Sequence, residues 1–170
     1  MISVMRERTL TEWVVLGLLA EAPAHGFALA RLLHPGGEVG KVWSATRPLT
    51  YRAIDQLEAD GLVVAVRTEA GAGPRRTVHR PTPAGRRALR RWLAAPVPRF
   101  RDVRAELLVK LLLLERRGQP TEALLAAQRA AFAPLLAAVR ASPAADSVSR
   151  WRRAQAEAVA DFLGPPGQAR

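Results

Sequence analysis

The chain has 170 residues and a formal charge of +11, from 26 Lys and Arg against 15 Asp and Glu. The length allows one domain with an appendage or two small domains, and the charge points to a polyanionic partner, nucleic acid ahead of anionic membrane. The absence of cysteine excludes a disulfide scaffold, a Cys-based zinc site and a thiol nucleophile.

Apolar residues at 49% and charged residues at 24% fit a globular chain. The apolar stretch Trp13–Ala20 falls far short of the ~18 residues of a membrane span, and the N-terminus lacks a cleavable signal pattern, so a soluble cytoplasmic protein is expected. Thr9-Leu10-Thr11-Glu12 has capping-box spacing, and the apolar run after it predicts a mostly buried helix to about Glu21, ended by Pro23. A short amphipathic helix is predicted over His25–Leu33, closed by Pro35-Gly36-Gly37. A third helix begins between Ser44 and Arg47, where Ser44 and Thr46 are N-cap candidates and Pro48 is tolerated in the first turn, and it stops at Asp60-Gly61.

The period then changes. Leu62–Thr68 and Arg75–Arg80 are β-prone and flank Glu69-Ala70-Gly71-Ala72-Gly73-Pro74, which predicts a two-stranded hairpin with a loose tip. Thr82-Pro83 opens a helix through Leu93, and Pro96 and Pro98 mark a boundary between domains 1–95 and 96–170. The second domain is predicted to be wholly helical, over Asp102–Arg117, Thr121–Ala141 and Asp146–Leu163, with Pro134 expected to kink or split the middle helix.

A mainly α chain with helix, helix, helix, hairpin and helix in its first 95 residues has the order of a winged helix-turn-helix domain, whose third helix enters the major groove. On that helix Leu49, Ala53, Ile54 and Leu57 are expected on the buried face, leaving Tyr51, Arg52 and Asp55 outside. Ser44, Thr46, Arg47 and Thr50 gather at its start, where hydroxyls, a guanidinium and free N–H groups suit phosphates and base edges. The alternative is that Ser44 and Thr46 only cap, Arg52 pairs with Asp55 or Glu58, and Tyr51 packs. Residues 62–95 hold eight arginines against Glu69 alone. Of these, Arg75 and Arg76 suit a wing that touches the DNA backbone or a narrow minor groove, whereas Arg86, Arg87, Arg90 and Arg91 read as a solvated helix face.

Residues 10–93 resemble the PadR family of bacterial transcriptional regulators. The resemblance is carried by the His25-Gly26-Phe27 turn, the run from Arg47-Pro48-Leu49-Thr50-Tyr51-Arg52 to Asp60-Gly61-Leu62, Pro74-Arg75-Arg76-Thr77-Val78-His79-Arg80, and Thr82-Pro83-Ala84-Gly85. The segment from Asp102 to Leu111 is similar to the longer subfamily with a helical C-terminal dimerisation domain. The resemblance implies a homodimer that binds double-stranded operator DNA, usually as a repressor, and is sometimes released by a small ligand. It places DNA reading on Ser44, Thr46, Arg47, Thr50, Tyr51 and Arg52, with Arg75 and Arg76 at the wing. His79 stands where many members carry an aromatic residue.

Enzyme readings fail on the motifs. Gly36-Gly37-Glu38-Val39-Gly40-Lys41-Val42 departs from a phosphate loop, with its first Gly one position too close and Val42 in place of the Ser or Thr. His25, His34 and His79 lack metal-ligand spacing, so no metal or cofactor is implied, and His25 is expected to fix the turn between the first two helices.

In the C-terminal half, Leu107, Leu108, Leu111, Leu112 and Leu114, with Leu124, Phe132 and Leu136 after them, exceed what a lone helix pair hides. The last helix spaces Val148, Trp151, Gln155, Ala158 and Phe162 in heptad fashion. Leu107, Leu111, Val148, Trp151, Ala158 and Phe162 are therefore the candidate dimer contacts, with an intrachain bundle as the alternative. Trp92, Phe100 and Trp151 are candidates to stack on a small aromatic effector, with core packing as the alternative. Competing readings are a ligand-sensing or protein-interaction module that does not read DNA, and basic association with RNA or membrane.

Overall fold

Thr9 closes the start of α1 (Leu10–Glu21), its Oγ1 accepting the Glu12 N–H at 3.3 Å, and α1 buries Val14, Val15, Leu16, Leu18 and Leu19. The structure is a computed structural model that describes residues 7–69 and 75–164. The chain divides into two units, Met1–Trp92 and Leu93–Arg170.

In the first unit, α1 leads to a two-residue strand, β1 (Ala24–His25), and directly into α2 (Gly26–Leu32). His25 fixes this turn as expected, its Nδ1 accepting the Ala28 N–H at 3.1 Å as the N-cap of α2. The turn after α2 is held by backbone bonds from Val39 and Gly40 N–H to the Leu32 carbonyl, both at 3.1 Å. A Cβ on Gly40 would sit 1.7 Å from the His34 carbonyl oxygen, so chain approach, not phosphate binding, accounts for that glycine. Next comes α3 (Arg47–Ala59), with Pro48 in its first turn. Gly61, at φ +67°, and the 2.9 Å bond from Leu62 N–H to the Leu57 carbonyl end it in a Schellman motif.

The hairpin is part of a three-stranded antiparallel sheet, order β1-β3-β2, not the two-stranded one expected. Strands β2 (Val63–Glu69) and β3 (Arg76–Pro81) pair from Val63↔Pro81 to Glu69↔Arg76, with a bulge between Ala65 and Arg67. On the other side β3 pairs Ala24↔His79 and His25↔Val78. The expected loose tip, residues 70–74, lies outside the described residues. His79 is buried, with Nε2 3.7 Å from Glu58 Oε2. Thr82 caps α4 (Pro83–Ala94) by accepting the Gly85 N–H at 3.1 Å while donating to the Gly61 carbonyl at 2.8 Å.

The second unit contains α5 (Phe100–Asp102), a π-helical turn (Val103–Leu107), α6 (Leu108–Arg116), α7 (Glu122–Ala141) and α8 (Ser147–Leu163). The π turn interrupts what the sequence suggests is one helix, whereas Pro134 does not split α7. Gln128 is fully buried and pairs with both backbone groups of Val97, donating to its carbonyl at 2.9 Å and accepting its N–H at 2.7 Å. Helices α7 and α8 close each other's ends. Arg129 donates to the Leu163 carbonyl at 2.8 Å, and Arg153 donates to the carbonyls of Val139, Arg140 and Ser142. Cationic groups at helix C-termini satisfy the last carbonyls and oppose the dipole. One described helix, α7, is long and apolar enough to cross a membrane by length and composition, a stretch that the Trp13–Ala20 criterion passes over because Gln128 and Arg129 interrupt it.

Lys110 is buried to 1% exposure, with Nζ 2.7 Å from Glu106 Oε1 and 2.8 Å from the Ala95 carbonyl. Burial pushes its ammonium below the ordinary value of 10.5, partly opposed by Glu106. The native state therefore holds fewer protons here than the unfolded chain. The stability from this site is fully developed above the unfolded value and is lost as pH falls through the lowered native one. Denaturation of the wild type and Lys110→Met across the alkaline range should show stability rising with pH relative to a variant that lacks this slope. Equal slopes would mean that Lys110 does not titrate differently on folding.

Candidate nucleic-acid interface

The buried stripe of α3 consists of Thr50, Ala53, Ile54 and Leu57. It is turned by one residue from the face expected, because Leu49 lies roughly 100° around the helix from Thr50. Leu49 is 50% exposed and Thr50 is 0% exposed, its Oγ1 donating to the Thr46 carbonyl at 3.1 Å. Two expectations are corrected: Leu49 leaves the core, and Thr50 serves its own helix and presents no hydroxyl to a ligand.

Ser44, Thr46, Arg47, Tyr51 and Arg52 are all exposed, as are Arg75 and Arg76. Thr46 is the N-cap but makes no side-chain capping bond, so the capping-only alternative does not describe its hydroxyl. Arg52 has no ion pair among the described residues. Glu58, its suggested partner, instead accepts the Ala65 N–H at 3.3 Å and faces His79.

Phe27 gathers these side chains. Its ring lies 5.4 Å from the Arg47 guanidinium carbon and 5.0 Å from that of Arg76, and Arg47 also stands 5.7 Å from the Tyr51 ring. The attraction of a cation for a ring face holds each guanidinium over it. One aromatic residue at the start of α2 thus joins the first turn of α3 to the tip end of the wing strand β3. The Tyr51 ring rests on Gly26, where a Cβ would come within 2.7 Å of it. Along α2, the following turn and the start of α3 runs an open groove of about 1090 Å³, lined by Phe27, Arg31, Ser44, Thr46, Arg47 and Leu49 among others, with Glu38 as a carboxylate in its wall. Helical periodicity assigns Phe27 to packing, and only its place in the His25-Gly26-Phe27 turn singles it out.

Residues 15–91 match the model of the transcriptional regulator PadR-like family. The matched segment of the first unit is similar to the PadR-like transcriptional regulators. No curated protein matches it. Among solved structures it is similar to Bacillus subtilis PadR in complex with operator DNA, at 20% identity over 89% of this chain and 94% of that one, TM-score 0.49. It is also similar to Bacillus subtilis PadR in complex with p-coumaric acid, at 17% identity over 91% and 95%, TM-score 0.47.

The three aromatic candidates for an effector occupy different settings. Trp92 stacks on Trp13 at 5.0 Å with ring planes 4° apart, Phe100 packs on Phe132 at 4.7 Å, and Trp151 is exposed. A cleft of about 500 Å³ beside the stacked pair is lined by Arg8, Arg87 and Arg91. The candidate dimer contacts also separate. Leu107 and Leu111 are buried within the second unit, whereas Val148, Trp151, Ala158 and Phe162 form an exposed stripe on α8.

Proposed function

We propose that this protein binds double-stranded operator DNA as a homodimer, with α3 in the major groove and the wing against the adjoining backbone, and that it represses the genes it controls. The observation that carries the reading is the convergence of Arg47 and Arg76 on Phe27, beside exposed Ser44, Thr46, Tyr51 and Arg52. It joins a backbone-binding wing to a helix start that offers hydroxyls, guanidiniums and free N–H groups, the mixture that positions on phosphate and reads bases. The homodimer rests on the exposed stripe of α8, where Trp151 is 67% exposed, since a heptad-spaced apolar seam is buried by docking another helix. A two-fold dimer presents two copies of α3, so the operator is pseudo-palindromic with half-sites one or two turns apart, roughly 10 bp per turn.

Arg52→Ala tests the reading. Removal of a bidentate bond to a base should cost about 1–3 kcal/mol and relax preference at one base pair per half-site, with the melting temperature unchanged. A lowered melting temperature with the specific-to-non-specific affinity ratio preserved would make this helix face structural. A footprint confined to one asymmetric half-site would remove the dimeric operator. The effector reading belongs to the cleft beside Trp13 and Trp92, whose arginines suit a flat anion; repeating the operator assay with a soluble aromatic acid present examines it.

A further inference from the structure

Leu49 stands in the first turn of α3, half exposed, and lines the same groove as Ser44, Thr46 and Arg47. Among the described residues of the first unit, the exposed large apolar side chains are Leu49, Tyr51, Val64 and Val66. The two valines belong to the wing strand β2, and Tyr51 rests on Gly26 and under Arg47. Leu49 alone among them lines the groove, whose wall also holds the hydroxyls of Ser44 and Thr46, the guanidinium of Arg47 and the apolar Phe27 and Leu32. The first turn of a helix favours residues that hydrogen-bond its free N–H groups, and a leucine there contributes nothing to capping.

We infer that Leu49 is a specificity-determining residue that recognises the C5-methyl group of a thymine in each half-site. This rests on the proposed reading of operator DNA and names what one position of it selects. The chemistry is selective because the major-groove edge of a base pair offers hydrogen-bonding groups at every position, and the thymine methyl is its one apolar group. Set against a G·C edge, the isobutyl group strips water from acceptors or a donor without replacing the bonds, which costs free energy. Set against the methyl, both apolar surfaces leave water. Leu49 therefore reads by shape and apolarity where Ser44 and Arg52 read by hydrogen bonds.

The test begins with the full chain selecting its sites from a random duplex library. Each thymine of the selected site is then replaced in turn, in both half-sites, by deoxyuridine, which removes only the methyl group. Binding is measured for the wild type and for Leu49→Ala. One thymine per half-site should be sensitive, its loss of methyl weakening wild-type binding by about three- to fivefold per half-site, the worth of one buried methyl-sized group. Leu49→Ala should bind the methylated and unmethylated forms alike and melt at the wild-type temperature, because the side chain it shortens is exposed. A site with no uridine-sensitive thymine, or one whose sensitivity persists in Leu49→Ala, overturns the inference and leaves operator binding standing. Failure to enrich any sequence overturns the DNA reading itself, and this inference with it.

Discussion

Gln128→Leu should destabilise the C-terminal unit by about 2–6 kcal/mol, the cost of leaving two buried backbone groups unpaired at roughly 1–3 kcal/mol each. The leucine keeps most of the volume but can neither accept the Val97 N–H nor donate to the Val97 carbonyl, and Val97 is itself fully buried. Urea denaturation should show the loss as a lower midpoint. Gln128→Glu separates hydrogen bonding from packing. A protonated carboxyl can make both bonds, its O–H donating to the carbonyl and its C=O accepting the N–H, whereas the carboxylate faces the carbonyl with a buried charge and no proton to give. Burial raises a carboxyl's folded-state pKa above its unfolded value. The stability this side chain supplies is thus present below the unfolded value, near 4.3, and is lost as pH rises through the folded one. Relative to the wild type, Gln128→Glu should be close in stability in acid and far weaker at neutral pH. A constant difference across pH would show that the bidentate pairing does not matter.

Phe27→Ala should weaken operator binding by about five- to thirtyfold, from two cation–π interactions at roughly 0.5–1 kcal/mol each that hold Arg47 and Arg76 in place. The charges remain, so the slope of log affinity against log salt should change little. Removing the charges gives the opposite pattern. The double variant Arg47→Ala, Arg76→Ala should flatten that slope by about 0.9 for each phosphate no longer neutralised and weaken binding to all sequences alike. Phe27→Tyr keeps the ring and should bind close to wild type. If Phe27→Ala flattened the slope as much as the double arginine variant, the ring would govern the approach to phosphate itself rather than the placing of the guanidiniums.

Local chemistry made much of this fold legible. Thr9, Thr82 and Asp146 each precede a helix and each accepts a backbone N–H as an N-cap oxygen should, and Gly61 and Gly118 stand at the positive-φ positions where α3 and α6 stop. The helical period set the buried stripe of α3 to within one residue. That single residue exchanged Leu49 with Thr50, because hydrophobicity pulled the assignment toward the leucine while the threonine could bury itself by bonding the carbonyl of Thr46. Pairings distant in sequence carried no local signal. Two residues at Ala24–His25 are too few for strand periodicity, and they pair only because β3 arrives beside them. Gln128 and Lys110 carry no local sign of their partners, since one binds the segment before α5 and the other reaches the carbonyl of Ala95. Phe27 read as an ordinary apolar position, and its role depends on side chains 20 and 49 residues further along.

His25 belongs to two elements at once, as the β1 residue opposite Val78 and as the N-cap of α2. No loop separates the sheet from the helix that carries Phe27. A tilt of the wing strand β3 would drag β1, and with it the start of α2, so wing and helix cannot adapt to a bound surface independently. An interface built this way is stiff, and a stiff protein leaves the bending and twisting to its partner. Duplexes with easily deformed steps beneath the wing, such as TA or CA/TG, then gain an advantage over stiffer sequences that carry the same contacted bases.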